Sequence, residues 1–190
     1  MAKQFSKLSD THTAFIEQQP IFFVSTALAD GRINLSPKGM DSLKVLGPNR
    51  IAWLNLTGSG NETAGHIQEN NRMTIMWCSF GSSPLILRAY GHAQVIHERD
   101  SNWNEYSELW DERLGKRQVF LVDIETIQTS CGYAVPMMGL QGERETLRKW
   151  AENKGDKGIR DYWDQKNQTT IDGKPTNILP YDNESPSTKA

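Results

Sequence analysis

A turn rich in hydrogen-bond donors is the part of this sequence best suited to chemistry. Residues 55–66 are Asn-Leu-Thr-Gly-Ser-Gly-Asn-Glu-Thr-Ala-Gly-His, between an apolar run typical of a strand (51–54) and a segment typical of a helix (63–70). Such a turn directs backbone N–H groups and the positive end of a helix dipole at one point, which suits an anion such as phosphate. The same residues are equally typical of an ordinary polar loop with a helix N-cap.

The side chains of this turn leave the same two interpretations open. Hydroxyl and amide groups of Thr57, Ser59, Asn61 and Thr63 could donate to phosphate oxygens. They could equally cap the helix, with Asn61 or Ser59 at the N-cap. A second segment, residues 36–39 (Ser-Pro-Lys-Gly), is either a simple strand-ending turn or a further ligand-binding segment.

Bulk composition narrows the class of protein. The chain has 190 residues, enough for one domain with a substantial core; 37% are hydrophobic and 23% charged, as in soluble globular proteins. A net charge of −2 argues against non-specific nucleic-acid binding. No apolar run approaches the ~20 residues of a membrane span, and residues 1–5 lack the apolar core of a signal peptide. We therefore expect a cytoplasmic protein with no nucleic-acid or membrane partner.

The cysteines do not indicate a metal site. Cys78 and Cys131 have no Cys-x-x-Cys spacing and no nearby histidine that completes a zinc pattern, so no metal is expected. Buried thiols in a reducing compartment are the favoured interpretation, and a disulfide remains open.

The rest of the sequence predicts a mostly β chain, whose strands and helices would position the turn. Hairpin signals and one interrupting helix favour an antiparallel barrel over a parallel α/β sheet. Predicted strands cover 21–28, 32–36, 43–46, 51–54, 72–80, 85–96 (with a bulge at Gly91) and 118–124; predicted helices cover 11–19, 63–70, 100–112, 143–153 and 156–166; a polar loop or partly disordered arm covers 168–190.

An ordered set of motifs resembles a known family. The set comprises residues 31–39 (GRINLSPKG), 52–63 (AWLNLTGSGNET), 66–72 (HIQENNR), 84–91 (PLILRAYG) and 131–136 (CGYAVP). It is similar to the pyridoxamine 5′-phosphate oxidase-like FMN-binding split-barrel family over roughly residues 15–136. The stretch around 166–176 resembles a subfamily with a helical C-terminal extension rather than the classical oxidase.

The resemblance implies a fold, an assembly and a cofactor site. The fold would be a six-stranded antiparallel split β-barrel with Greek-key character and C-terminal helices. We expect residues 1–140 to form the FMN-binding domain and residues 141–190 a helical extension with a polar tail packed on the barrel. The protein would be a homodimer with FMN at the interface. The strand at 32–38 would line the flavin ring, the turn at 55–63 would take the phosphate, and residues 135–138 would reach the partner's flavin.

The resulting candidate cofactor-binding residues are Asn34, Ser36, Pro37, Lys38, Gly39, Asn55, Thr57, Ser59, Gly60, Asn61, Thr63, Arg88, Val135, Pro136 and Met137. In the classical oxidase the turn carries an Arg-Lys pair, where this chain has Glu62 and Thr63. The positive charge that pairs with the phosphate must then come from elsewhere in the chain. The candidates are Lys38, Arg72 and Arg88. Arg72 is expected at the surface and Arg88 inside the barrel. The classical oxidase also has a C-terminal Trp-Arg and Arg-Leu segment that binds pyridoxal phosphate. This chain differs there, which argues against pyridoxamine 5′-phosphate as the substrate.

Two functions follow as expectations. The first is an FMN-dependent oxidoreductase that acts on a small molecule, with a nicotinamide among the candidate electron donors; the flavin carries the chemistry, and no side chain stands out as a general base. The second is a non-catalytic protein that binds flavin, the deazaflavin F420 or haem. His66, His92 and His97 are not assigned catalytic roles: His66 is expected to pack or cap, and the other two to be solvent-exposed.

Overall fold

The computed structural model describes residues 2–180; the last ten residues of the predicted polar tail lie outside the described residues. Within that range the chain forms eight strands and four helices. They are β1 Lys3–Phe5, α1 Asp10–Glu17, β2 Phe22–Thr26, β3 Asn34–Lys38, β4 Leu43–Gly47, β5 Arg50–Leu56, α2 Glu62–Glu69, β6 Arg72–Cys78, β7 Ile86–His97, α3 Trp103–Ser107, β8 Lys116–Ser130 and α4 Thr146–Lys166.

The strands form one antiparallel sheet in the order β3-β2-β6-β7-β8-β5-β4, with β1 added beside β8. Neighbours that are distant in sequence, such as β2 with β6 and β8 with β5, give it Greek-key character. The hydrogen-bonded path stays open between β3 and β4. The predicted mostly β, antiparallel split barrel is confirmed. The strand count is eight rather than six, partly because β1 is short and exposed along its length, so no apolar alternation indicates it.

The core forms because inward-facing residues alternate along the strands. Trp53 stacks on Phe120 with ring centroids 4.9 Å apart, and α1 and α2 contribute Ile16 and Ile67 to the same cluster. At Gly91 the β7–β8 register shifts, and an added Cβ would lie 2.1 Å from the Asp123 carbonyl oxygen. The predicted irregularity at Gly91 is therefore confirmed, but the extra residue, Glu125, lies in β8 opposite it. Only glycine allows this close approach.

Strand β3 begins and ends two residues later than the predicted 32–36. It extends through Pro37 and Lys38, which were predicted to break it. Proline is tolerated here because β3 is an edge strand, paired only with β2, so one side of its backbone needs no partner. The extension carries Lys38 to the end of the strand.

Helix predictions have a mixed outcome. Helix α3 covers only Trp103–Ser107, much less than the predicted 100–112; Trp110 packs in a buried cluster after the helix has ended. Helix α4 contains a break at Gly155, where φ is 63° and ψ is 173°, so it matches the two predicted helices. No helix within the described residues is long and apolar enough to cross a membrane.

Residues 167–180 fold back on the barrel as an ordered loop, with a bridge between Thr169 and Pro175. The loop packs closely on α2, since a Cβ added at Gly65 would lie 2.3 Å from the Thr170 methyl carbon. The side chain of Asp172 binds the backbone N–H and the guanidinium of Arg32. Of the two predicted alternatives, a polar loop and a partly disordered arm, the structure shows the loop for this part of the tail.

Two predictions of exposure are also wrong. His97 was predicted to be exposed but is only 6% exposed. Burial, and to a smaller extent the positive charge of Arg99, lowers the pKa of its imidazole to about 4. Both cysteines were predicted to be buried, but only Cys78 is; Cys131 is exposed, and both are free thiols. His92 is partly exposed, and its Nε2 lies 3.1 Å from a carboxylate oxygen of Glu125.

Candidate functional site

The turn between β5 and α2 is held from one side by Arg117, at the start of β8. The guanidinium donates to the Asn55 side-chain oxygen through Nη2 at 2.6 Å and through Nε at 3.0 Å. Its Nη1 donates to the backbone carbonyls of Gly60 at 3.0 Å and Gly58 at 3.4 Å. One buried side chain therefore binds both the end of the strand and the backbone of the turn.

The C-terminal helix holds the same turn. Asn167, at the end of α4, accepts from Arg117 through Oδ1 at 2.9 Å and donates through Nδ2 to the carbonyl of Gly58 at 3.1 Å. Trp163 donates its indole N–H to the Thr57 hydroxyl at 2.8 Å. The turn is thus enclosed between β8 and the C-terminal helix.

These contacts determine where the N–H groups of the turn point. All peptide bonds described are trans, so the C=O and N–H of one peptide unit point in opposite directions. Because Arg117 and Asn167 bind the carbonyls of Gly58 and Gly60, the N–H groups of Ser59 and Asn61 are directed away from them. The N–H groups of residues 58–63 donate to no acceptor within residues 2–180. The arrangement is a set of available donors at the N-terminus of α2.

The charge of Arg117 is uncompensated in its surroundings. The residue is 3% exposed, and within the described chain its hydrogen-bond partners are amide and carbonyl oxygens, with no carboxylate. Desolvation lowers the pKa of the guanidinium to about 9. A buried cation without a counter-ion is costly, and a bound anion close to it would offset that cost.

Lys38 adds a second positive charge. Burial lowers the pKa of its ammonium group to about 8, and Arg117 contributes in the same direction. Its Nζ lies 5.5 Å from the centroid of the Trp53 ring, and within residues 2–180 it forms no ion pair. Lys38 and Arg117 are therefore close enough to influence each other, and neither forms an ion pair with a carboxylate within residues 2–180.

An open cavity of about 1230 Å³ adjoins the turn. Lys38, Thr57, Gly58 and Ser59 form its polar side. Helix α4 contributes an apolar wall, and the segment before it adds the charged side chains of Glu143 and Arg144. The larger apolar residues around the cavity are Ile21, Phe80, Met138, Leu140, Leu147, Trp150 and Tyr162.

The structure places five of the predicted site residues at this cavity: Pro37, Lys38, Gly39, Thr57 and Ser59. Others form a second hydrogen-bonded group at the start of α2. The Asn34 amide donates to the Thr63 hydroxyl at 3.1 Å, and the Ser36 hydroxyl donates to Asn34 at 3.2 Å.

Three further predicted residues support the turn from behind. Asn55 and Gly60 accept hydrogen bonds from Arg117, and Asn61 accepts one from Gln118 at 2.6 Å. Asn61 is 3% exposed and does not cap α2 through its side chain; its Nδ2 has no partner within the described residues. The alternative interpretation as a simple side-chain cap therefore does not hold for Asn61.

The remaining predicted residues lie away from this cavity. Arg88 alternates along β7 with Leu87 and Ala89, which are buried in the core, so it lies on the opposite face of the sheet rather than inside the barrel. Its guanidinium donates to the Ser130 hydroxyl at 3.2 Å. Val135, Pro136 and Met137 lie in a loop after β8, with Met137 75% exposed.

The carboxylate of Glu62, next to the turn, has a hydrogen-bond partner of its own. Glu62 accepts a hydrogen bond from the backbone N–H of Ile171 at 3.0 Å, so its charge is bound by the C-terminal loop. Arg72 is exposed, as predicted, and binds Asn70. Of the three cations considered from the sequence, Lys38 is the one that lines the cavity.

Sequence reasoning missed Arg117, Gln118, Trp163 and Asn167. A signal was present for the first two, because Arg117-Gln118 is a polar pair directly before the buried run Val119–Val122 in β8. Nothing in the local sequence distinguishes Asn167. Among residues 2–180 no group of three or more His, Cys, Asp or Glu side chains could hold a metal ion.

Comparison of the sequence with known proteins finds one family in two independent ways. The sequence model of the pyridoxamine 5′-phosphate oxidase family matches residues 8–131. The pyridoxamine 5′-phosphate oxidase family protein ustO of Aspergillus flavus is 37% identical over 191 residues, covering 90% of this chain and 76% of that protein.

Solved structures share the fold at low sequence identity. HupZ of Group A Streptococcus has a TM-score of 0.52 and 18% identity, covering 70% of this chain and 99% of that one. A protein of Lactobacillus delbrueckii has the same TM-score and 22% identity, covering 65% and 94%.

Proposed function

The chain belongs to the pyridoxamine 5′-phosphate oxidase family, and from that membership we propose that it binds FMN and acts as a flavin-dependent oxidoreductase. The phosphate would bind at the N–H groups of residues 58–63. The flavin ring would lie along the end of β3, in the cavity beside Pro37, Lys38 and Gly39.

The proposal rests on one observation: backbone N–H donors without acceptors lie next to a buried positive charge without a counter-ion. The turn offers N–H groups without acceptors within the described chain, and Arg117 lies directly behind it without a carboxylate. A phosphate brings negative charge and several strong acceptor oxygens, so it complements both features. The residues present therefore fit the phosphate end of FMN.

The cavity suits a flavin and a second molecule. Its volume of about 1230 Å³ exceeds the roughly 300–1,000 Å³ of typical single-ligand pockets. The polar side would hold the cofactor, and the apolar wall formed by Leu147, Trp150 and Tyr162 would accept a small organic substrate. Since residues 167–180 lack the Trp-Arg and Arg-Leu pairs with which the classical oxidase binds pyridoxal phosphate, we propose a substrate other than pyridoxamine 5′-phosphate.

FMN, when bound, supplies the redox chemistry, which is the transfer of a hydride or two electrons from a reduced donor to an acceptor. The chain's own residues would bind, orient and tune it. Lys38 would place positive charge near the cofactor, which favours its reduced, anionic form. Within the described residues no side chain is assigned as a general acid or base.

We further propose a homodimer. The loop after β8 is tied to the barrel by the Met138 N–H, which donates to Phe80, yet it exposes large apolar side chains. Tyr133 is 82% exposed and Met137 75%. A second copy of the chain would cover this surface. Arg88 and residues 135–137, which lie away from the cavity of their own chain, would then serve the site of the partner subunit.

The test is the visible absorption spectrum of the purified protein, before and after incubation with FMN and gel filtration. Retained flavin bands support the proposal, and NADH or NADPH added without oxygen should bleach them if a nicotinamide is the donor. Flavin bands that no reduced donor bleaches would favour a non-catalytic flavin carrier. A Soret band would indicate a haem protein instead, and a protein that retains no flavin would contradict FMN binding.

A further inference from the structure

We propose that Arg117 and Asn167 are positioning residues that keep the N–H groups of the turn directed at the cofactor phosphate, so that the C-terminal helix sets the preference of the protein for FMN over riboflavin. The inference rests on the proposed function, because it assigns what holds that same site in its binding conformation. Neither residue has to touch the cofactor.

The turn needs such support because its own packing does not fix it. Gly58 and Gly60 have the backbone freedom of glycine, and a Cβ added at Gly58 would meet no atom within 4 Å. Trp163 and Gln118 hold the two ends of the turn at Thr57 and Asn61. Between those ends, the hydrogen bonds from Arg117 and Asn167 to the carbonyls of Gly58 and Gly60 restrain the backbone. A turn held in its binding conformation loses less entropy when an anion binds.

The identity of Asn167 matches this role. Its side-chain oxygen orients the Arg117 guanidinium, while its amide nitrogen donates to the carbonyl of Gly58. An aspartate could accept from Arg117 in the same way, but it would neutralise the positive charge and could not donate to Gly58. Asparagine therefore orients the guanidinium and leaves its charge available to the phosphate.

The C-terminal segment in turn fixes Asn167. The indole of Trp163, one helical turn earlier, is 4% exposed and bonded to Thr57. The Thr176 hydroxyl donates to the carbonyl of Asn167, and the Thr176 N–H donates to Gln168, so the chain closes around this point. The position of Asn167 thus depends on the extension and not on the barrel alone.

The test compares two ligands that differ in the phosphate. Dissociation constants for FMN and riboflavin are measured by quenching of flavin fluorescence in wild type, Asn167→Ala and Asn167→Asp. Gln168→Ala is the matched control, since the Gln168 side chain is exposed and, among the described residues, hydrogen-bonds only to Asp164. The key quantity is the ratio of the riboflavin constant to the FMN constant.

Wild type should prefer FMN. In Asn167→Ala that preference should fall about tenfold, because the hydrogen bonds that orient the phosphate-binding N–H groups are lost. The dissociation constant for riboflavin should stay within about twofold of wild type, because riboflavin has no phosphate. Asn167→Asp should lower the preference further, and Gln168→Ala should leave it unchanged. Should Asn167→Ala not fold, Arg117→Lys, which keeps the charge without the guanidinium fork, is expected to show the same selective loss.

An unchanged ratio in folded Asn167 or Arg117 variants would overturn the inference, as would an equal weakening of both ligands, which indicates a purely structural role. Failure of the proposed function has a different signature, since wild type itself would then bind neither flavin. Binding of both flavins by wild type with equal affinity would leave FMN binding in place but overturn the positioning role.

Discussion

Replacing Lys38 with methionine should stabilise the protein without cofactor while weakening its affinity for FMN. The ammonium group is held at a pKa of about 8, against an ordinary value of 10.5, mainly because burial removes it from water and also because Arg117 is near. Methionine keeps the length and the apolar stem but removes the charge. The substitution therefore separates the cost of this lysine to folding from its contribution to binding.

The magnitude follows from the pKa. A shift of that size corresponds to roughly 3 kcal/mol of destabilisation. The contact of the ammonium with the Trp53 ring offsets the gain by about 1 kcal/mol when it is lost, so a net stabilisation of roughly 2 kcal/mol is expected at pH 7. Because the folded pKa is lowered, the penalty in wild type is complete below pH 8 and disappears as pH rises towards 10.5. The advantage of Lys38→Met should shrink over that same interval.

Urea unfolding of wild type and Lys38→Met, both without flavin and at equal protein concentration, measures this difference at pH 7 and pH 10. Lys44→Met is the control, because Lys44 lies on β4, the edge strand at the other end of the sheet, and pairs with Asp41. It should bring no stabilisation. A Lys38→Met protein that is less stable than wild type at pH 7, or whose advantage is the same at pH 10, would refute the assignment of a desolvated ammonium at this position.

Three further results are expected. The FMN affinity of wild type should fall as pH rises through about 8, because Lys38 loses its proton and with it its charge. Lys38→Met should bind FMN about ten- to a hundredfold more weakly at pH 7 and lack the fall near pH 8. Isothermal titration across pH 7–8.5, below the pKa of about 9 of Arg117, measures both effects, and parallel pH profiles in the two proteins would contradict the prediction. Trp163→Phe should lower the free energy of unfolding by about 1 kcal/mol, because the buried hydrogen bond to Thr57 is lost. Trp150→Phe should cost less, because the Trp150 indole N–H has no partner among residues 2–180. Equal losses of the two variants in urea unfolding would argue against the bond to Thr57. Met137→Asp should shift the protein from dimer to monomer in light scattering and reduce flavin retention, and a retained dimer would show that this loop is not at the interface.

Much of the fold could be predicted because its signals are local. The hairpin around Asn49, the irregularity at Gly91 and the two helices separated at Gly155 each have a pattern within a few residues. Strand β1 had no such pattern, and His97 was misjudged because its burial comes from elements packed over it. Helix α3 was overestimated because the aromatic spacing continues after the helix ends.

The candidate site was predictable only in part, for the same reason. The turn itself has a local signature, but Arg117 lies 57–62 residues from the partners it holds on the turn, and 50 residues from Asn167. Those contacts arise when the sheet and the C-terminal helix assemble, so neither end indicates them alone. The division into a barrel up to residue 140 and a C-terminal extension stays a prediction.

The most direct test of FMN binding at this turn is a crystal structure of the protein loaded with FMN. The account predicts the phosphate oxygens within hydrogen-bond distance of the N–H groups of residues 59–63, with Arg117 behind them and still bonded to Asn167. A phosphate held elsewhere, with these N–H groups facing solvent, would contradict it.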